Sequence, residues 1–180
     1  AQQPRRHQRA TTTIGTTHRQ TRKKRGRELV HQKMSIVQIL QGIKSPDNET
    51  RRRAESTYNQ YVNRQPMAVL KELATTQVSS GDAGVRSICA VMLRRLVQPT
   101  SKITLTKDVQ DHVQNCLIKA FNQEPMETVR RKVCHAIAPL AARCGRGQWN
   151  ALLPTTFKKL EAQTPKERVS GYFLLSKLCE

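Results

Sequence analysis

Residues 126–134 read METVRRKVC, and the segment has three counterparts: NETRRRAES (48–56), DAGVRSICA (82–90) and PKERVSGYF (165–173). Each sets an arginine near its start, Arg51, Arg86, Arg130 and Arg168, followed three positions later by a small or β-branched residue. The arginines are 35, 44 and 38 residues apart, a period that belongs to repeats built from helical hairpins. A hairpin of that size cannot bury an apolar face by itself, so the recurrence implies a stack in which each unit covers its neighbour.

Working outward from these segments, apolar residues recur at three- and four-residue spacing from Met34 to the end of the chain, as amphipathic helices require. A first helix carries Ile36, Val37, Ile39, Leu40 and Ile43 and is broken by SPDN (45–48). A second carries Ala54, Tyr58, Tyr61 and Val62 and stops before Pro66; a third carries Met67, Leu70, Leu73 and Ala74 and ends near SSGD (79–82). A fourth carries Val85, Ile88, Cys89, Met92, Leu93 and Leu96. After the looser TSKITLTKD (100–108), a fifth carries Val109, Val113, Cys116, Leu117, Ala120 and Phe121, and a sixth Val129, Val133, Ile137, Leu140 and Ala141. A seventh is expected to carry Trp149, Leu152, Leu153, Phe157 and Leu160, and an eighth Val169, Phe173, Leu174 and Leu178. Start signals support the frame: Asp47 and Asp82 are placed to cap, and in TPKE (164–167) Thr164 caps, Pro165 suits the first turn and Glu167 follows the cap by three. The expected fold is all-α: an α-solenoid of about four HEAT-type antiparallel helix pairs over residues 34–180. A closed helical bundle is the competing architecture, but it gives no reason for every second helix to begin alike.

Residues 1–33 are different. They lack periodicity and hold ten Lys/Arg against one acid, a charge of +9. They are expected to form a disordered basic arm, because such a segment cannot bury enough apolar surface to offset its ordering entropy. Arg22, Lys23, Lys24, Arg25 and Arg27 within it could grip nucleic-acid phosphate or act as an import signal. Residues 34–180 carry a further +10, so the whole chain reaches +19. No apolar run approaches the ~20 residues that span a bilayer, which excludes a transmembrane helix. Five cysteines, Cys89, Cys116, Cys134, Cys144 and Cys179, are widely spaced with no CxxC pair, and read as reduced apolar fillers. The sequence holds no phosphate-binding loop, no nucleophile elbow, no HExxH and no compact acid cluster, so nothing points to an enzyme, a metal or a cofactor.

Several strings carry a resemblance. SPDNETRRRAESTYNQYV (45–62) resembles the first B helix (the second helix of a pair) of the importin-β, or karyopherin-β, superfamily; VRSICAVMLRRLV (85–97) resembles the second and ETVRRKVCHAIAPLAA (127–142) the third. WNALLPTTF (149–157) resembles the segment opening the fourth pair, with Asn150 and Ala151 standing where the family usually has Pro and Glu. VQDHVQNCLIKAF (109–121) fits the branch that imports ribosomal proteins and histones. The resemblance runs from MSIVQIL onward, so Met34 is the expected native start, with residues 1–33 lying upstream of it. The chain is expected to be the front piece of a longer superhelix.

The resemblance implies a nuclear transport receptor. Such receptors bind a Ran-type small GTPase in its GTP form through inner-face B helices at the amino-terminal arch. Cargo proteins bind further along, and phenylalanine-glycine nucleoporins dock on the outer face, so the implied location is cytoplasm and nucleus, including the nuclear pore. Carried onto this sequence, the GTPase-facing candidates are the B-helix residues opposite the apolar stripe: Arg52, Asn59, Arg94, Arg131 and His135. The alternative is a basic helical-repeat protein that binds RNA or other nucleic acid. Against it, stacking aromatics are scarce and no pair of base-reading positions recurs from repeat to repeat.

Overall fold

The computed structural model describes residues 34–145 and 147–180, and the expectations for the basic arm, Arg22 to Arg27 included, lie outside the described residues. Eight α-helices follow one another: α1 (Ile36–Ile43), α2 (Asn48–Arg64), α3 (Pro66–Ser79), α4 (Ala83–Val97), α5 (Lys107–Gln123), α6 (Glu127–Cys144), α7 (Leu152–Leu160) and α8 (Pro165–Cys179). Among the described residues every regular element is a helix, and the arrangement is the expected α-solenoid. Consecutive helices pair as α1–α2, α3–α4, α5–α6 and α7–α8. The second helices stack side by side as α4–α6–α8, and α3 packs on α5 in the row of first helices.

The helices start where the sequence places caps. Asp47 accepts from the Thr50 amide at 2.8 Å, and Asp82 Oδ1 accepts from the Gly84 and Val85 amides at 2.6 and 3.2 Å. Thr164 accepts from the Glu167 amide at 3.4 Å, and Ser35 and Gln38 form a reciprocal capping box. Each cap satisfies amides that the first turn leaves without a carbonyl partner.

The recurring arginines lock each turn. Every one folds back onto the loop before its own helix and donates to the carbonyl six residues earlier: Arg51 to Ser45, Arg86 to Ser80, Arg130 to Glu124 and Arg168 to Ala162. Those carbonyls lie just past the end of the preceding helix, where no helical amide remains to reach them. Arg86 and Arg130 also cross to the next repeat. Arg86 forms a two-pronged ion pair with Glu124 at 2.8 and 2.9 Å, and Arg130 donates to Ser170 Oγ at 2.8 Å. Other bridges span one repeat: Lys44 to Asp82, Lys71 to Asp108, and Thr75 to His112.

One continuous apolar core runs through the stack and includes Ile39, Leu40, Leu70, Leu73, Leu93, Leu117, Phe121, Ile137, Leu140 and Leu174. Cys89 and Cys134 fill it as free thiols, and burial pushes both up to about 12, out of reach of ordinary thiolate chemistry. Two pairs close unusually tightly. A Cβ added at Gly42 would lie 2.8 Å from Ala54 Cβ, and one at Gly171 would lie 2.9 Å from the Leu160 backbone nitrogen.

The fourth pair corrects the expected stripe. Trp149 is buried but precedes α7, with its carbonyl accepting from the Leu152 amide. Leu153 and Phe157 of α7 and Val169 of α8 are about half exposed rather than buried (54, 51 and 50%). The reason is geometric: α7 packs chiefly on α8, so its Leu152 and Thr156 face inward while the side carrying Leu153 and Phe157 meets no neighbour.

Candidate protein-binding face

Counting from the repeat arginine organises the candidate residues. Arg52 and Arg131 stand one position after it, His135 five positions after, and Asn59 and Arg94 eight positions after. Steps of four and seven return to one side of a helix, so these positions share a face on successive B helices. Arg52, Asn59, Arg94 and Arg131 are exposed, as expected of residues opposite the stripe. His135 is the exception. It is half-buried, because its ring meets Phe173 of α8 edge-on, with centroids 5.5 Å apart. Phe173 stands five residues after Arg168, as His135 stands five after Arg130, so the contact joins equivalent positions of two repeats.

Three of the five candidates are brought into one cluster. The Arg131 guanidinium lies 5.3 Å from the centre of the Phe173 ring, and the Lys177 ammonium 5.7 Å from it. Arg131 also pairs with Glu127, one turn back. Burial first, then the charges of Arg94 and Lys177, hold His135 below the usual imidazole range, which favours the neutral ring at physiological pH. Lys177 pairs with Glu180, and this bond, helped by the charge of Arg94, holds the Glu180 carboxyl below the usual value. Arg52 and Asn59, on α2, are not part of the cluster.

Lys177, Phe173 and Glu180 were not among the sequence candidates. A signal for Phe173 existed in the repeat register, since it is the next residue in the series that contains His135. Lys177 and Glu180 gave no such signal, because their role depends on how α8 lies beside α6. The grouping combines guanidinium, ammonium, a neutral imidazole and an aromatic face, which are groups that hold a partner by charge and contact area. Among the described residues no set of three His, Cys, Asp or Glu could hold a metal ion, and no helix is long and apolar enough to cross a membrane.

No family model matches the chain. Individual proteins do. Importin subunit beta-3 of Saccharomyces cerevisiae is 26% identical over 155 residues, which cover 79% of this chain and 14% of that protein. A probable importin-5 homolog of Dictyostelium discoideum is 24% identical over 150 residues, covering 81% of this chain and 14% of the other. The solved structure of Kap121p bound to RanGTP superposes with a TM-score of 0.68 at 28% identity, again over 79% of this chain and 14% of that one. The chain is similar to members of the importin-β superfamily over most of its length. It spans about 14% of the length of the curated relatives it matches.

Proposed function

We propose that this chain is the amino-terminal, GTPase-binding part of a nuclear transport receptor. It binds a Ran-type GTPase in its GTP form through the exposed B-helix side chains Arg52, Asn59, Arg94 and Arg131, with His135 packed edge-on against Phe173. In this reading the full receptor carries protein cargo, of the ribosomal-protein or histone kind, contacts phenylalanine-glycine nucleoporins, and moves between cytoplasm and nucleus through the pore. Its work is binding rather than chemistry: GTPase and cargo compete through a flexible superhelix with negative coupling. The observation that supports this most is the likeness, at 28% identity, to Kap121p in its RanGTP-bound structure. The exposed arginines on α4 and α6 add a face able to receive a partner.

The test is capture of the 180-residue chain on immobilised Ran loaded with GTP or with GDP. Selective capture by the GTP form is expected, and replacing Arg94 and Arg131 together by Glu should reduce it at least about tenfold without loss of helical signal. Equal capture by both nucleotide forms, or full capture of the double variant, would remove the assignment.

A further inference from the structure

A groove of about 1100 Å³ opens between the carboxy-terminal turns of α4, α6 and α8 and the connection from α6 to α7. Its lining includes Arg94, His135, Lys177, Trp149, Leu153 and Glu180. We infer that this groove is a docking site for an acidic segment of a partner protein, held by carboxylates on Arg94 and Lys177 and anchored by a bulky apolar side chain against Trp149 and Leu153.

Charge complementarity carries the argument. Among the described residues Arg94 forms no ion pair, although eight other cations do. The groove already receives one carboxylate from within the chain. Glu180 binds Lys177, and Arg94 adds to the pull that keeps it ionised. An incoming acid would take the place that Glu180 now holds.

Helix carboxy ends oppose an anion, since each carries a partial negative charge of about half a unit. Two features offset this. Arg143 donates to the Leu96 and Gln98 carbonyls, so the end of α4 is already met by a full positive charge. The amino end of α7 lines the groove with no side-chain cap and no acid in its first turn, and brings partial positive charge. The charges of Arg94 and Lys177 therefore remain in surplus once Glu180 is displaced.

Of Trp149 and Leu153, both in the lining, Leu153 is 54% exposed and Trp149 is largely buried. Pro139, inside α6 and lining the same groove, has no N–H to give to the His135 carbonyl one turn earlier.

The experiment is fluorescence anisotropy of the 180-residue chain with the labelled peptide EEDFEE, and with EEDAEE and KKRFKK as controls. No GTPase is present, so the result is independent of the receptor reading. Saturable binding of EEDFEE is expected, several-fold weaker for EEDAEE and absent for KKRFKK. Glu180→Gln should tighten it by roughly threefold, by removing the internal competitor. Arg94→Gln and Lys177→Glu should each weaken it by about tenfold, with helical signal unchanged. Because Lys177 also lies on Phe173, the exposed Arg94 serves as the second variant should Lys177→Glu disturb the fold. Equal binding of EEDFEE and KKRFKK, indifference to both Arg94→Gln and Glu180→Gln, or displacement of the peptide by an equal concentration of a uridine 12-mer would overturn the proposal.

Discussion

Adjacent arginines on α6 offer a direct test of the repeat logic, because Arg130 and Arg131 have the same chemistry and opposite surroundings. Arg130 is 9% exposed, donates through Nε and Nη2 to the Glu124 carbonyl, and through Nη1 to Ser170 Oγ on α8. Hydrogen bonds to charged groups contribute about 1.5–3 kcal/mol each. Replacing Arg130 by Ala removes a charged donor from two buried acceptors, and partial rehydration of the turn offsets some of the loss. The expected cost is about 3 kcal/mol. Arg131, whose side chain is 52% exposed, makes an i,i+4 pair with Glu127 and a contact with the Phe173 ring. Such pairs contribute about 0.3–0.5 kcal/mol, and an exposed cation–π contact about 0.5–1 kcal/mol. Arg131→Ala should therefore cost about 1 kcal/mol. Urea unfolding followed by circular dichroism at 222 nm separates the two. With a slope of about 2 kcal/mol/M the midpoint should fall by about 1.5 M for Arg130→Ala and about 0.5 M for Arg131→Ala. Arg130→Lys should recover less than half, since an ammonium cannot span both acceptors as the planar guanidinium does. Equal midpoints for the two alanine variants would refute the idea that the recurring arginine is the fastener of the turn.

Gly171→Ala places a methyl group 2.9 Å from the Leu160 backbone nitrogen and 3.1 Å from the Lys159 carbonyl carbon, atoms that cannot swing aside. It should cost about 1–3 kcal/mol by thermal melting, whereas Gly81→Ala, with nothing within 4 Å of the new Cβ, should change stability by less than about 0.5 kcal/mol. For Glu124, burial alone would raise the carboxyl pKa, but the Arg86 bond, the Met126 amide and the charges of Arg86 and Arg130 outweigh it, and the folded value lies below the usual 4.5. A depressed folded pKa means stability that is present above 4.5 and lost as pH falls through the folded value. Glu124→Gln should be less stable than the parent at pH 7 and should lose stability less steeply on acidification below 4.5; parallel slopes would show that Glu124 does not set the acid limit.

The fold was legible because two independent signals agreed. Apolar spacing located the helices, and the recurring arginine set their pairing. The structure supplies the reason for that recurrence: at Arg51, Arg86, Arg130 and Arg168 a guanidinium reaches the carbonyl six residues back. The end of the chain was read less well. Periodicity shows that Leu153 and Phe157 share a side of α7 with other apolar residues, but whether a side is covered depends on which helix lies against it.

The same distinction decides what can be said of the binding face. A structural arginine announces itself by repeating, since every turn needs the same fastener. A partner-binding residue has no such obligation, because a partner touches successive helices with different atoms. The series one position after the clamp reads Arg52, Ser87, Arg131, Val169, and the series eight positions after reads Asn59, Arg94, Ala138, Ser176. The register fixes where these side chains point while leaving their chemistry free. His135 shows the limit of that inference, since its position in the register predicts an outward ring and Phe173 of the next repeat draws it half inside. Candidate contact residues are therefore found by combining the register, which gives the face, with the neighbouring repeat, which decides which members of that face remain available to a partner. On that criterion Arg94 ranks above Arg131, because Arg131 is already engaged by Glu127 and Phe173, whereas Arg94 looks into an open groove. Glu substitutions made singly should follow that order, with Arg94→Glu the more damaging to capture by GTP-loaded Ran; the reverse order would show that availability does not govern contact here.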